Sequence, residues 1–219
     1  MRLLACEGIL FDNDGVLVDS DASVLRAWSS WAVARGLDPA VVVPMVHGRK
    51  SRETVALLIA EPDRAAALAD IDARELADAT QVSALPGAVA LIDSMPAERW
   101  AIVTSATRPL GSARLAAAGI QNPNCLVSAD DVSRGKPDPE GYLAAASALG
   151  FPPSAVIVIE DSPAGILAAR AAAVGAVVGV GERALSAGAD VVVRDLRDVE
   201  WTETGLLVLA SLSEAEQPS

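Results

Sequence analysis

The stretch GILFDNDGVLVDS spans Gly8 to Ser20. Its apolar run, Ile9-Leu10-Phe11, stops at two carboxylates one residue apart, Asp12 and Asp14, with Gly15 behind them. A run apolar on both faces reads as a strand covered on both sides, as parallel sheets require. In open parallel sheets, ligands bind beyond the carboxyl ends of the strands. Two acids at such an end stand where chemistry occurs. Alone, Asp-x-Asp-Gly also reads as a turn, because Asp and Gly are turn formers. It does not read as an EF-hand loop, since Val16 occupies the place of the next oxygen ligand.

Other short runs rich in β-branched residues extend the pattern: WAIVTS at 100–105, AVIVIED at 155–161, GAVVGV at 175–180 and ADVVV at 189–193. Ala-rich helical segments lie between them, such as SARLAAAG and PAGILAARAAAV. Alternating strand and helix predicts an α/β fold, a Rossmann-like doubly wound parallel sheet. The region between Asp19 and Leu85 differs. DASVLRAWSSWAVARG, SRETVALLIA and EPDRAAALADIDARELADAT all read as helices. ALPGAVALIDSM then starts a new helix leading into the second strand. We therefore expect an inserted all-helical cap domain at 18–85 and a core built from 1–17 plus 86–219.

Composition narrows the partners. A chain of 219 residues that is 52% hydrophobic can bury a sizeable core. The net charge of −12 argues against nucleic acid or an anionic membrane, because both need a basic footprint. It leaves room for an anionic small substrate, since a metal or a local cluster overcomes the global sign. Cys6 and Cys125 fit no metal or disulfide pattern, which suits buried free thiols in a reducing cytosol. No signal-peptide pattern or membrane-length apolar run is seen, so a cytoplasmic protein is expected. The segment SLSEAEQPS reads as disordered. No interface stripe stands out, so a monomer or weak homodimer is expected.

The three strand ends carry the chemistry. The first ends in Asp12 and Asp14, the second in Thr104 and Ser105, and the third in Glu160 and Asp161. Between the last two, SRGKPDPEGY offers Lys136 in a loop held by Pro137 and Pro139. Clustered carboxylates repel, so they ask for a cation. Asp12, Asp14 and Asp161 offer hard oxygen ligands that suit Mg²⁺. Hydroxyls, backbone N–H groups and a lysine host phosphate oxygens. Together these make a phosphoryl-transfer site, in which a carboxylate can accept the phosphoryl group as an aspartyl-phosphate.

The chain resembles the haloacid dehalogenase superfamily, in its phosphatase branch with a helical cap after the first strand. Four segments match in order: DNDGVLVDS, VTSAT, GKPDP and IEDSPAG. RAWSSWAVARGL, HGRKSRET, LPGAVALI and WAIVTSAT further resemble its bacterial sugar phosphatases, relatives of the 2-deoxyglucose-6-phosphate and glycerol-phosphate phosphatases. The resemblance implies Asp12 as nucleophile and Asp14 as general acid and then base. It implies Mg²⁺ on Asp12, the backbone carbonyl of Asp14 and Asp161, with Glu160 supporting the metal shell. It implies Lys136 between nucleophile and phosphate, with Ser105 or Thr104 and Ala106 as further phosphate contacts, Ser105 being favoured. Asn13 departs from the family, where an apolar residue is common between the two acids.

The only histidine, His47, opens a basic stretch, HGRKSRET, in an acidic protein. Its functional reading has the cap presenting His47, Arg49, Lys50 or Arg52 to a phosphate ester. Its bland reading is a solvated helix start capped by Ser51. Trp28 and Trp31 lie three apart on a predicted helix and read as packing. The expected activity is hydrolysis of small sugar or polyol phosphates. The alternative is a sugar phosphomutase sharing every core motif. A dehalogenase needs neither the second acid nor magnesium, so Asp14 and Asp161 argue against it.

Overall fold

The structure, a computed structural model, describes residues 1–121 and 123–214. The chain opens with β1 (Arg2–Ala5) and β2 (Gly8–Phe11), then a short β3 (Val18–Asp19). Four helices follow: α1 (Asp21–Ala34), α2 (Pro39–Val42), α3 (Ser51–Leu58) and α4 (Arg64–Asp78). The chain returns through β4 (Ser83–Ala84) and α5 (Ala88–Asp93). Then come β5 (Trp100–Val103), α6 (Arg108–Ala117), β6 (Leu126–Val127) and α7 (Glu140–Leu149). β7 (Val156–Glu160), α8 (Pro163–Ala171), β8 (Ala176–Val180) and β9 (Val191–Val193) complete the alternation. β10 (Val199–Thr202), β11 (Gly205–Val208) and β12 (Ser213–Glu214) end it.

The main sheet runs β12-β9-β8-β7-β2-β5-β6. Six of its seven strands, β9 to β6 in that order, are parallel, and β12 pairs antiparallel with β9 at one edge. Alternation along the strands feeds two cores. Ile9, Phe11, Ile157 and Ile159 enter one, while Leu10, Val158 and Val177 enter the other. This is the double burial that the apolar runs predict. From β2 the chain proceeds to β5 on one side and later to β7 on the other, so the carboxyl end of β2 lies at the topological switch point.

The helices α1 to α4 bury a core of their own around Val24, Trp28, Trp31, Val55 and Ile71. Trp28 and Trp31 pack edge to face at 5.2 Å, and the Trp31 indole donates to Ala67 O at 2.9 Å. The chain leaves and re-enters the sheet through the antiparallel pair β3 and β4, with Val18 opposite Ala84.

Some features depart from expectation. A separate antiparallel sheet, β1-β11-β10, was not legible from the runs. The segment expected to be disordered contributes β12, paired with Val191 and Val192. Its residues 215–219 lie outside those described. Both cysteines are free but only half-buried, and burial pushes the Cys6 thiol up to about 11.

Candidate active site

Asp12 stands one residue beyond β2. Its N–H still donates to Ile159 O at 2.9 Å, which continues the ladder and fixes its side chain in a buried position. The chain then turns sharply. The N–H groups of Leu17 and Val18 both donate to Asn13 O, at 2.9 and 3.0 Å. Gly15 adopts φ +82°, and a Cβ there would overlap the Asp161 carboxylate. Glycine is required both for the left-handed backbone and for that close approach. The turn reading and the functional reading of Asp-Asn-Asp-Gly therefore hold together. The Asn13 amide donates to Asp14 Oδ2 at 3.4 Å, while its buried Oδ1 has no partner among the described residues.

Lys136 sits at the centre. Its Nζ donates to Asp12 Oδ1 at 2.7 Å, to Glu160 Oε1 at 2.7 Å and to Val103 O at 3.2 Å. All three ammonium protons are used. Burial alone would lower the pKa of this lysine, but the charges of Asp12 and Glu160 hold it well above its ordinary value. Glu160 also accepts from the Tyr142 hydroxyl at 3.0 Å and from Ser162 N and Oγ at 2.8 and 3.0 Å. Ser162 in turn caps α8, accepting from Gly165 N at 3.1 Å. Pro163 occupies the first helical position, as the sequence reading expects.

The acids fit a cation. Asp12, Glu160 and Asp161 bring carboxylate oxygens within 4.8 Å of one another, all buried. Four donors already fill Glu160, so the oxygens open to a cation belong to Asp12 and Asp161. Burial, reinforced by the Glu160 charge and opposed by Arg183, pushes Asp161 up to about 7. Burial likewise pushes Asp12 well up, against the pull of Lys136. This crowding of negative charge is what a hard divalent ion offsets, and an all-oxygen donor set suits Mg²⁺.

A cavity of about 60 Å³ opens beside these groups. Asp12, Asp14, Asp161, Ser105 and Ala106 line its core side, and His47, Gly48 and Arg49 line its helical side. Ser105 Oγ donates to Gly48 O at 3.0 Å, so the helical segment is seated on the core. Thr104 does not line this cavity, and its Oγ1 accepts from Ala106 N at 3.0 Å. Lys50 departs from expectation. It is buried, and its Nζ donates to Ala129 O and Val132 O at 3.2 and 2.7 Å, so two carbonyls rather than the cavity hold its ammonium. Ser51 is no cap. It is the first residue of α3, and its hydroxyl donates to Glu75 Oε2 at 3.1 Å.

Two arginines escaped the sequence reading. Arg114 on α6 donates from Nη1 to Asp14 Oδ1 at 2.9 Å and from Nη2 to Glu75 Oε1 at 3.3 Å. Arg183, beyond β8, donates from Nη2 to Asp161 Oδ2 at 2.7 Å and from Nη1 to Asp21 Oδ2 at 2.7 Å. Each joins an acid of the core to an acid of the helical segment. A signal for the first pair was present. Ala67, Ile71 and Glu75 recur every four residues on the buried face of α4, and Arg114 follows Leu110 by four on α6. Charges on buried stripes ask for partners. Arg183 lies in a single 3-10 turn, Glu182–Ala184, too short for periodicity to mark it.

Comparison with known proteins agrees with this arrangement. The haloacid dehalogenase-like hydrolase pattern matches residues 6–173. The chain is 41% identical over 174 residues to hexitol phosphatase A of Escherichia coli, covering 77% of this chain and 81% of that protein. It is 38% identical over 214 residues to validoxylamine A 7'-phosphate phosphatase of Streptomyces hygroscopicus subsp. limoneus, covering 90% and 97%. The crystal structure of a hydrolase from Pseudomonas syringae superposes with a TM-score of 0.77 at 30% identity, over 87% of this chain and 94% of that one. The chain belongs to the haloacid dehalogenase-like hydrolase family, in its phosphatase branch.

Proposed function

We propose that the protein is a Mg²⁺-dependent phosphatase of small sugar or polyol phosphate monoesters, working through an aspartyl-phosphate. The observation that carries this reading is the buried Lys136 ammonium shared by Asp12 and Glu160 beside the Asp12–Asp161 oxygen pair. In this reading 18–85 forms the cap domain, and 1–17 with 86–219 forms the catalytic core. Asp12 attacks phosphorus and the bond to the ester oxygen breaks. Asp14 gives its proton to that departing oxygen. Asp14 then takes a proton from water, which attacks the phosphorus of the aspartyl-phosphate and frees phosphate together with the Asp12 carboxylate. Lys136 orients Asp12 and offsets charge on the phosphate. Ser105, which lines the cavity where Thr104 does not, and the Ala106 N–H would hold phosphate oxygens by turning from Gly48 O and Thr104 Oγ1, their partners here. A Mg²⁺ held by Asp12, the Asp14 carbonyl and Asp161 would neutralise charge developing on the transferred group.

The names of two relatives, a hexitol phosphatase and a glycerol-1-phosphate phosphohydrolase, support the substrate class. The test is phosphate release from a panel of sugar and polyol monophosphates, with Mg²⁺ and with EDTA. EDTA-sensitive release that Asp12→Asn abolishes is expected. Release that survives EDTA, or persists near the wild-type rate in Asp12→Asn, would overturn the reading.

A further inference from the structure

Glu75 is a costly residue where it stands. Its side chain is 5% exposed, it lies on α4 of the helical segment, and it lines the same cavity as Asp12 and Asp14. Burial raises its pKa even with Arg114 beside it. A buried carboxylate is stabilised only if its oxygens are well supplied with donors. Glu75 has two, Ser51 Oγ at 3.1 Å and Arg114 Nη2 at 3.3 Å, against the four or so an ionised carboxyl accepts. Glu160 in the same protein receives four. Glu75 is therefore under-supplied on the wall of the active-site cavity.

Its position relative to the chemistry is set by Arg114. That guanidinium touches Asp14 with one Nη and Glu75 with the other, so the carboxylate lies one arginine away from the proposed acid. The ester oxygen must meet Asp14 for protonation. Glu75 and Asp14 line one cavity, so a carbon chain on that oxygen would have Glu75 within the same walls.

We infer that Glu75 is a specificity-determining residue that accepts hydrogen bonds from hydroxyls of the leaving group, with Arg114 and Ser51 as the positioning residues that hold it. This rests on the phosphatase reading above. A polyol supplies the missing donors, whereas a leaving group without hydroxyls leaves a buried carboxylate short of partners. Sites of that kind reject the analogue lacking the hydroxyl far more strongly than apolar pockets reject a missing methylene.

The experiment compares sorbitol 6-phosphate with n-hexyl phosphate in the wild type and in Glu75→Gln, in Mg²⁺. Both are primary alkyl esters and make similar demands on Asp14, so a misplaced acid lowers both alike. The wild type is expected to prefer the hexitol ester in kcat/KM. Glu75→Gln is expected to cut that preference about 10- to 100-fold, the range for a hydrogen bond to a charged group, with a rise in KM for the hexitol ester. Ser51→Ala makes a smaller change to packing and should move the preference the same way by less. A preference unchanged in both variants, or equal losses on both esters, would overturn the inference and leave the phosphatase reading standing. No phosphate from either ester with the wild type would overturn the reading and the inference together.

Discussion

At the scale of the residue, the site turns on Lys136. Its side chain is 5% exposed and binds two carboxylates that are also buried, Glu160 fully. A buried ion pair need not stabilise a protein relative to an apolar replacement, but removing one partner leaves an uncompensated charge. Lys136→Met deletes the ammonium and keeps much of the stem. It should lower stability by about 3–5 kcal/mol, the usual cost of such a removal. Urea denaturation followed by circular dichroism reads this directly. A midpoint within error of the wild type would mean that Asp12 and Glu160 relax without the lysine, and that its place there is not structural.

At the scale of the element, the junction of β7 and α8 does two things at once. The strand ends on Glu160, and Ser162 caps the helix while donating to Glu160. Gly165 is required beneath them, because a Cβ there would overlap the Glu160 carboxylate. One hydroxyl thus serves the helix terminus and the acid that steadies Lys136. Ser162→Ala should cost about 1–2 kcal/mol, since loss of an N-cap typically costs about 1 kcal/mol and Glu160 loses a donor as well. Thermal denaturation checks this. A loss under about 0.5 kcal/mol, the scatter of ordinary surface substitutions, would show that water replaces the hydroxyl at both ends.

At the scale of the molecule, the helical segment meets the sheet part mainly through polar contacts, among them Gly48 with Ser105, Lys50 with Ala129 and Val132, and the two arginine bridges. The sheet carries a core on each face, whereas the helical segment buries one small cluster around Trp28 and Trp31. Ala79 at the end of α4 packs with Ala106 and Leu110 of the core, and the β3–β4 pair closes the other crossing. Local stability follows buried apolar contact, so opening should begin in the helical segment. Native-state hydrogen exchange is expected to show amides of β2, β7 and β8 as the slowest. Amides of α1 and α4 should exchange through a lower-energy opening. Equal protection in both parts would mean that the arginine bridges, Arg114 to Glu75 and Arg183 to Asp21, weld them into one cooperative unit.

The layered fold and the acids at the strand ends are legible in the pattern of residues along the chain. Runs such as ILF at 9–11 and VIVI at 156–159 are apolar on both faces, which only a doubly covered sheet satisfies. Acids that interrupt such runs mark the strand ends without help from folding. The charges buried in amphipathic helices carried a periodic signal, visible in the spacing of Ile71 and Glu75, but one helix cannot name its partner on another. Packing in three dimensions is what brings Glu75 to Arg114 across 39 positions and Arg183 to Asp21 across 162, and what turns Lys50 from the cavity to the carbonyls of Ala129 and Val132. The physical reason is range. Periodicity and turn chemistry act within a few residues, whereas pairing of buried charges is set by packing that brings distant segments together.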